Sequence, residues 1–382
     1  METTGQVQPA IDAAVTGGRM AFPGTSDAVI AAGAGVRVDR VRVADLPALA
    51  RAAMADPVRY PLLPISPMRA QAQAFNPLAN PDDVGLLVGF VDDRCAGFLG
   101  LLPGAVEFRG RRHPVSSFTG FHVAPADHGR DLATMLARSA IELGRDLHAS
   151  RVSPETRALL TPLGFRPAPG QRTLRLQLSR LGRLKGIPLR AMVRSLGGGH
   201  IEHLWRLVTE ARAPMSAHGA DEAPPAADRP RFVRDERVIN WMIRHPWIGE
   251  DSHAVLRYPL PYRREMFRYL TFEATEGGFV VVCLTQDRRC ATLRILDRRP
   301  MTDDRREPTL ARALVEAQRL VADVVECPVE YEPLLRRSSA GRMLLSSEDP
   351  GALVYTRDPE GPFGKPLEAF DWSGFEGDAS CS

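Results

Sequence analysis

The stretch from residue 85 to residue 148 limits the possible folds more than any other part of the chain. "GLLVGFV" (85–91) is followed by the turn Asp92-Asp93-Arg94, then "CAGFLGLLPGAVEF" (95–108), the turn "RGRRH", and "PVSSFTGFHV" (114–123). Strand-like runs joined by short turns predict an antiparallel meander. Leu132, Leu136, Ala140, Leu143 and Leu147 then recur at helical spacing, predicting a helix over about Asp131 to His148 with one buried stripe. "SRVSPETRALLTPLGF" (150–165) reads as a short strand, a short helix and a turn at Gly164, and the alternating "RTLRLQL" (172–178) as a last strand of the same unit. Upstream, Val36, Val38, Val41 and Val43 mark a strand. Asp45 and Pro47 open a helix reaching about Ala55, and a further helix is expected around Met68 to Phe75.

The second half repeats this outline with different residues. "GFVVVCL" (278–284) and "CATLRILD" (290–297) flank a turn, a helix is expected from about Pro308 to Val325, and "ALVYTRD" (352–358) reads as its closing strand. An ancient duplication fits this repetition. With 382 residues the chain is long enough for two domains. The expected division is a flexible tail over 1–34, a first domain over 35–178, a basic segment and linker over 179–230, a second domain over 231–365 and a tail over 366–382. The basic leucine-rich run 175–196 is broken by Gly182, Gly186 and Pro188, which favours a solvated linker over a membrane-surface helix. Trp372 in the C-terminal tail is expected to pack against a surface groove.

Composition narrows the function class. A net charge of +3 selects neither nucleic acid nor membrane as a partner, and the short positive run lacks interleaved aromatics. No apolar run approaches the roughly 18 residues of a membrane span. Cys95, Cys283, Cys290, Cys327 and Cys381 form no CxxC pair, which argues against a disulfide framework or a zinc site and for a reducing, cytoplasmic setting. Lys185 and Lys365 are the only lysines, a bias that fits GC-rich codons and a bacterial source.

"FHVAPADHGRDLATML" (121–136) passes from strand through a glycine-containing turn into a helix. Such a junction presents unpaired N–H groups on the axis of a helix whose dipole favours an anion. It is a candidate diphosphate cradle. Here the chain resembles the GCN5-related N-acetyltransferase family over residues 35 to 178. "VGFVDDRCAGFLGLLPGAVEFRGRRHPV" is similar to the family's second and third strands, "FHVAPADHGRDLATML" to its acyl-CoA motif, Arg/Gln-x-x-Gly-x-Gly/Ala after Val-x-Pro, and "SRVSPETRALLTPLGF" to its late Gly-Phe segment. The resemblance implies an α/β fold of two such domains, the second degenerate, each a mostly antiparallel central sheet flanked by helices. It also implies binding of acetyl-CoA or another acyl-CoA by Phe121, Val123, His128, Gly129, Arg130, Asp131, Leu132 and Ala133, with the acyl group passing to an amine or hydroxyl of a small-molecule or saccharide acceptor. An amino sugar, a polysaccharide precursor and an amino-acid derivative are the implied acceptors. The alternative is a non-catalytic binding or scaffold protein on a decayed fold of this kind.

Three departures from the motif matter. His128 stands where Arg or Gln is usual, Leu160 where many members carry a tyrosine that protonates the leaving thiolate, and Asp131 where the first glycine is required. A carboxylate about 4 Å from a phosphate, at an effective dielectric near 20, is repelled by about 4 kcal/mol, roughly a thousandfold in affinity. Pairing with Arg130 or His128, or turning outward onto its own helix dipole, would relieve it. His122, at the end of the strand, is the candidate base for the acceptor's proton, because an imidazole titrates near pH 6.5. Simple alternation puts Ser117 and Thr119 on the side of Phe121, opposite His122, unless a bulge intervenes.

Overall fold

The computed structural model describes residues 30–31, 35–168, 173–177, 205–208, 229–248, 257–260, 266–274, 279–287, 290–299, 313, 320, 322–336, 345–348, 351–367 and 370. In chain order these include β1 (Ile30–Ala31), β2 (Val36–Arg42), α1 (Leu46–Ala55), α2 (Pro67–Ala74), β3 (Val84–Val91), β4 (Arg94–Phe108), β5 (Arg111–Val123), α3 (Leu132–Glu142), β6 (Asp146–Ser150), α4 (Pro154–Leu160), β7 (Arg166–Ala168) and β8 (Thr173–Gln177). Then follow β9 (Trp205–Val208), β10 (Arg231–Phe232), α5 (Glu236–Arg244), β11 (Met266–Ala274), β12 (Phe279–Asp287), β13 (Cys290–Arg299), β14 (Val324–Pro328), α6 (Glu332–Arg336), β15 (Leu345–Glu348) and β16 (Ala352–Tyr355). The fold is mixed α/β with two sheets.

Local signals set the helices of the first half. Ser66 and Ser153 each accept a hydrogen bond from the backbone N–H three residues on, and each is followed by a proline that presets the first turn. Asp45 precedes α1 without capping it, because its carboxylate is taken by Arg42 Nε at 2.9 Å.

The meander β3-β4-β5 forms as expected, β2 adds antiparallel to β3, and β6 joins β5 in parallel after the α3 crossover; the helix expected to reach His148 ends at Glu142, and Leu147 and His148 belong to β6. One face of this sheet packs Leu86, Val88, Phe90 and Phe98 against α1 and α2. The other packs Leu87, Leu99 and Leu101 against Leu132, Leu136 and Ala140 of α3.

The sheets then depart from the expected domain contents. Beyond β6 the first sheet continues β16-β7, and beyond β14 the second continues β8-β15. Thus "TLRLQ", expected to close the first unit, pairs with β14 and β15 of the second sheet, and "ALVY", expected to close the second, pairs with β6 and β7 of the first. Alternation reveals that a segment is a strand but not which neighbour it pairs with.

With this exchange seven strands of the first sheet match the second strand for strand, β2-β3-β4-β5-β6-β16-β7 against β9-β11-β12-β13-β14-β8-β15, and β1 and β10 are additions to the first. In each, the fourth and fifth strands are the parallel pair. In each, a register shift falls between the third and fourth strands, skipping Thr119 in one and Leu296 in the other. These coincidences support the duplication.

Helix α5 ties the sheets together. Val238, Trp241 and Met242 pack with Ala72 and Leu102 of the first half, and Trp241 Nε1 donates to Ala72 O at 2.7 Å. Ile239 and Ile243 pack with Phe267, Tyr269 and Val281 of the second. The basic run beyond 177, the linker through 228 apart from β9, most of the expected helix 308–325 and Trp372 lie outside the described residues, and Val324 and Val325, expected to end that helix, open β14 instead.

Candidate active site

Strands β5 and β6 pair only from Val115 to Phe118 against Asp146 to Ala149. Beyond Phe118, β5 has no partner on that side among the described residues. Thr119 O meets Arg69 Nη2 and Val123 O meets His128 Nε2, so the backbone groups left facing no strand on that edge are those around Phe121, and open groups call for a partner. The bulge begins where the pairing ends: Gly100 is opposite Gly120 and Leu101 opposite Phe118, which leaves Thr119 extra.

The bulge decides which side chains face which way. Phe118, Phe121 and Val123 pack against the core cluster on the α3 side. Thr119 does not share the side of Phe121 as simple alternation predicts: a β-carbon on Gly100 would stand 2.7 Å from Thr119 Oγ1, on the α2 side with Phe98. Ser117 lies opposite Leu102, which packs with Ala72 of α2, so it too shares the His122 side.

The turn after β5 is a 3-10 stretch over Pro125–Arg130. Asp127 was not singled out from sequence, yet its carboxylate is buried and meets Arg94 Nη2 at 3.2 Å. His128 Nε2 lies 2.9 Å from Val123 O, so this ring pins the turn to the end of β5 rather than pairing with Asp131. Gly129 sits in the middle of the turn, and the side chain of Arg130 lies outside the described residues. Leu132 is 1% exposed, and its side chain fills the space above Gly89 and Gly97, so only its backbone faces the turn. Leu132, half-buried Ala133 and Thr134 open α3 with no side chain capping their N–H groups.

Asp131 adopts the left-handed conformation, with φ 53° and ψ 10°. This explains why glycine suits the position in the family motif and why aspartate is a tolerated substitute. Its side chain is exposed and caps nothing. In water rather than protein, the repulsion at about 4 Å falls to about 1 kcal/mol, about fivefold in affinity rather than a thousandfold. Asp131→Gly should therefore tighten acyl-CoA binding by no more than about fivefold. Because relief of left-handed strain, worth about 1–2 kcal/mol, outweighs the added chain entropy, worth about 0.5–1 kcal/mol, the melting temperature should hold or rise. Calorimetry and thermal unfolding read both, and a fall in melting temperature would show that the carboxylate supports α3.

On the α2 side, half-buried His122 stands 6.1 Å from the Phe98 ring and makes no hydrogen bond among the described residues. Desolvation, and then the neighbouring charge of His128, push its pKa below the usual 6.5. It is thus neutral near pH 7, with ring nitrogens free to take a proton. Arg69 of α2 is 5% exposed. Its Nη1 donates to Tyr258 Oη at 3.0 Å, its Nη2 to Thr119 O, and its Cζ lies 4.5 Å over Trp247. Gln73, one turn on, is 1% exposed, and neither of its amide atoms nor the buried Thr119 Oγ1 has a hydrogen-bond partner among the described residues. Each such unmade bond costs about 1–3 kcal/mol. None of Arg69, Gln73 and Tyr258 stands out in the sequence. Leu160 is fully buried in the α3-side core and has no part in proton transfer.

No family model matches the sequence, and no curated protein matches it. Among solved structures, a GCN5-related N-acetyltransferase from Kribbella flavida aligns at 15% identity over 84% of this chain and 70% of its own, with a TM-score of 0.43. The chain is similar to GCN5-related N-acetyltransferases. Eis1 from Mycobacterium abscessus aligns at 18% identity over 83% and 73% with a TM-score of 0.46. Saccharomyces cerevisiae N-myristoyltransferase with bound myristoylCoA aligns at 11% identity over 86% and 84%, also with a TM-score of 0.46. At these values the strand order, and not the likeness, carries the reading of the fold. Cys95 and Cys290 are free thiols. No helix among the described residues is long and apolar enough to cross a membrane.

Proposed function

We propose that the chain is an acyltransferase, moving an acyl group from acetyl-CoA or another acyl-CoA to an amine or hydroxyl of a small-molecule or sugar acceptor. The observation that carries this reading is the parting of β5 from β6 at the bulge, followed directly by the uncapped start of α3. An extended ligand with amide groups pairs with the open edge of β5 around Phe121. Its diphosphate end meets the first N–H groups of α3, and its thioester lies near the bulge. His122, neutral and unbonded, takes the acceptor's proton as nitrogen or oxygen attacks the thioester carbonyl. The carbon–sulfur bond then breaks, and the CoA thiolate is protonated from solvent, Leu160 offering no acid. The second sheet is assigned a supporting role.

The test is calorimetric titration of the full chain with acetyl-CoA, coupled to an assay of thiol release over a panel of amines and alcohols. Saturable binding and acceptor-dependent release support the reading. Binding without release on any acceptor would favour a non-catalytic binding protein, and no binding at millimolar acetyl-CoA would refute acyl transfer.

A further inference from the structure

The arginines around the first sheet mostly meet carboxylates: Arg37 meets Asp39, Arg40 meets Glu142, Arg42 meets Asp45, Arg94 meets Asp127 and Arg145 meets Asp83. Arg69 is more deeply buried than any of these and meets none among the described residues; its partners are a phenol, a backbone carbonyl and an indole face. A buried cation without a counter-charge is costly, and that cost is relieved when an anion arrives. Beside it stands one more buried group with unfilled capacity among the described residues, the hydroxyl of Thr119, whose carbonyl Arg69 already holds. Guanidinium and hydroxyl can both donate, so the pair suits a ligand that only accepts, with a single negative charge.

Position supplies the second half of the argument. A β-carbon on Gly120 would lie 3.5 Å from Arg69 Nη1 and closer still to Leu260 Cδ1, and His122 follows two residues later on the same side of β5. At the rise of an extended strand that interval is about 7 Å. Leu260 covers it, so a small amino or hydroxy acid spanning the guanidinium and the imidazole would displace this one side chain.

We propose that Arg69, with Thr119, binds the carboxylate of the acceptor, so that the acyl group passes to an amino or hydroxy acid. The word acceptor rests on the acyl-transfer reading above; the carboxylate site does not. The test is therefore made without any acyl donor. The full chain is titrated calorimetrically with the common amino acids as free acids and as their carboxamides, which keep the amine and lose the charge. At least one free acid should bind ten times or more tightly than its carboxamide, and Arg69→Gln should abolish the difference. Tyr258→Phe, which keeps the cation and removes its hydroxyl partner, should weaken the same acid a few-fold, and it carries the test if Arg69→Gln fails to fold. No preference for any free acid, a preference that survives in folded Arg69→Gln, or tighter binding of inorganic phosphate than of every acid would overturn the proposal. A parallel titration with acetyl-CoA separates the two readings: its failure removes acyl transfer and leaves the carboxylate result standing on its own.

Discussion

A chain ended at residue 178 is expected not to fold. It would contain every strand of the expected first domain but lack β16, which lies between β6 and β7. Leu353 of β16 is buried in the α3-side core, and Val354 is buried with Phe363, Leu367 and Phe370 against Val106 and Val115. A buried aliphatic or aromatic side chain contributes about 1.5–3 kcal/mol, and whole domains are stable by only about 5–15 kcal/mol. Losing this group of side chains, together with the ladders on both edges of β16, exceeds that margin. The fragment would also carry β8 with neither β14 nor β15 beside it. Circular dichroism of residues 35–178 should show no cooperative melt, whereas the full chain should melt with its two sheets coupled. A soluble fragment with a sharp transition would mean that the exchanged strand is dispensable.

The exchange marks where the sequence stops being informative. The meander was legible because its turns carry their own chemistry: Asp92, Asp93 and Arg109 have φ of 49°, 62° and 50°, and Gly110 has 69°. Turns that tight leave the flanking strands no choice but each other. The segments 173–177 and 352–355 have no tight turn tying them to a neighbour. Their alternation fixes one face, and long-range packing chooses the partner. Helix α5 escaped notice. Yet "ERVINWMIR" carries both signals of a helix, an Asp235 cap and one apolar stripe of Val238, Ile239, Trp241, Met242 and Ile243; what long-range packing adds is that the stripe is broad enough to serve both sheets.

The candidate site was half legible. The strand, the turn and the helix start of residues 121–133 were visible, and so was the oddity of Asp131. Its left-handed backbone was not, because aspartate does not announce positive φ as glycine does. Arg69 lies in "PMRAQAQA", which reads as an ordinary polar helix. It is buried only because Thr119 and Tyr258, 50 and 189 residues away in sequence, close on it. Thr119 faces that arginine because of a bulge, a feature of strand pairing that a single strand's alternation does not encode.

His122→Gln is expected to lower the rate of acyl transfer by about 10²-fold or more, the usual scale for a lost general base and about 2.7 kcal/mol in barrier. Acetyl-CoA affinity should stay nearly constant, since the imidazole lies on the α2 side and Phe121 and Val123, which line the other side, are untouched. The pH profile separates this role from a structural one. Desolvation and the charge of His128 hold the pKa of His122 below 6.5. The wild-type acidic limb of kcat/KM should therefore fall below pH 6.5, and in the variant it should vanish. Stability gives a second reading with its own sign. Below pH 6.5 the unfolded chain binds a proton at His122 more readily than the folded chain does, so acidification draws the equilibrium towards unfolding. Glutamine removes that contribution, so the variant should lose less stability than wild type as pH drops through this window. A variant that keeps the wild-type acidic limb while losing rate would leave His122 as a packing partner of Phe98, and the proton would have to leave by another route.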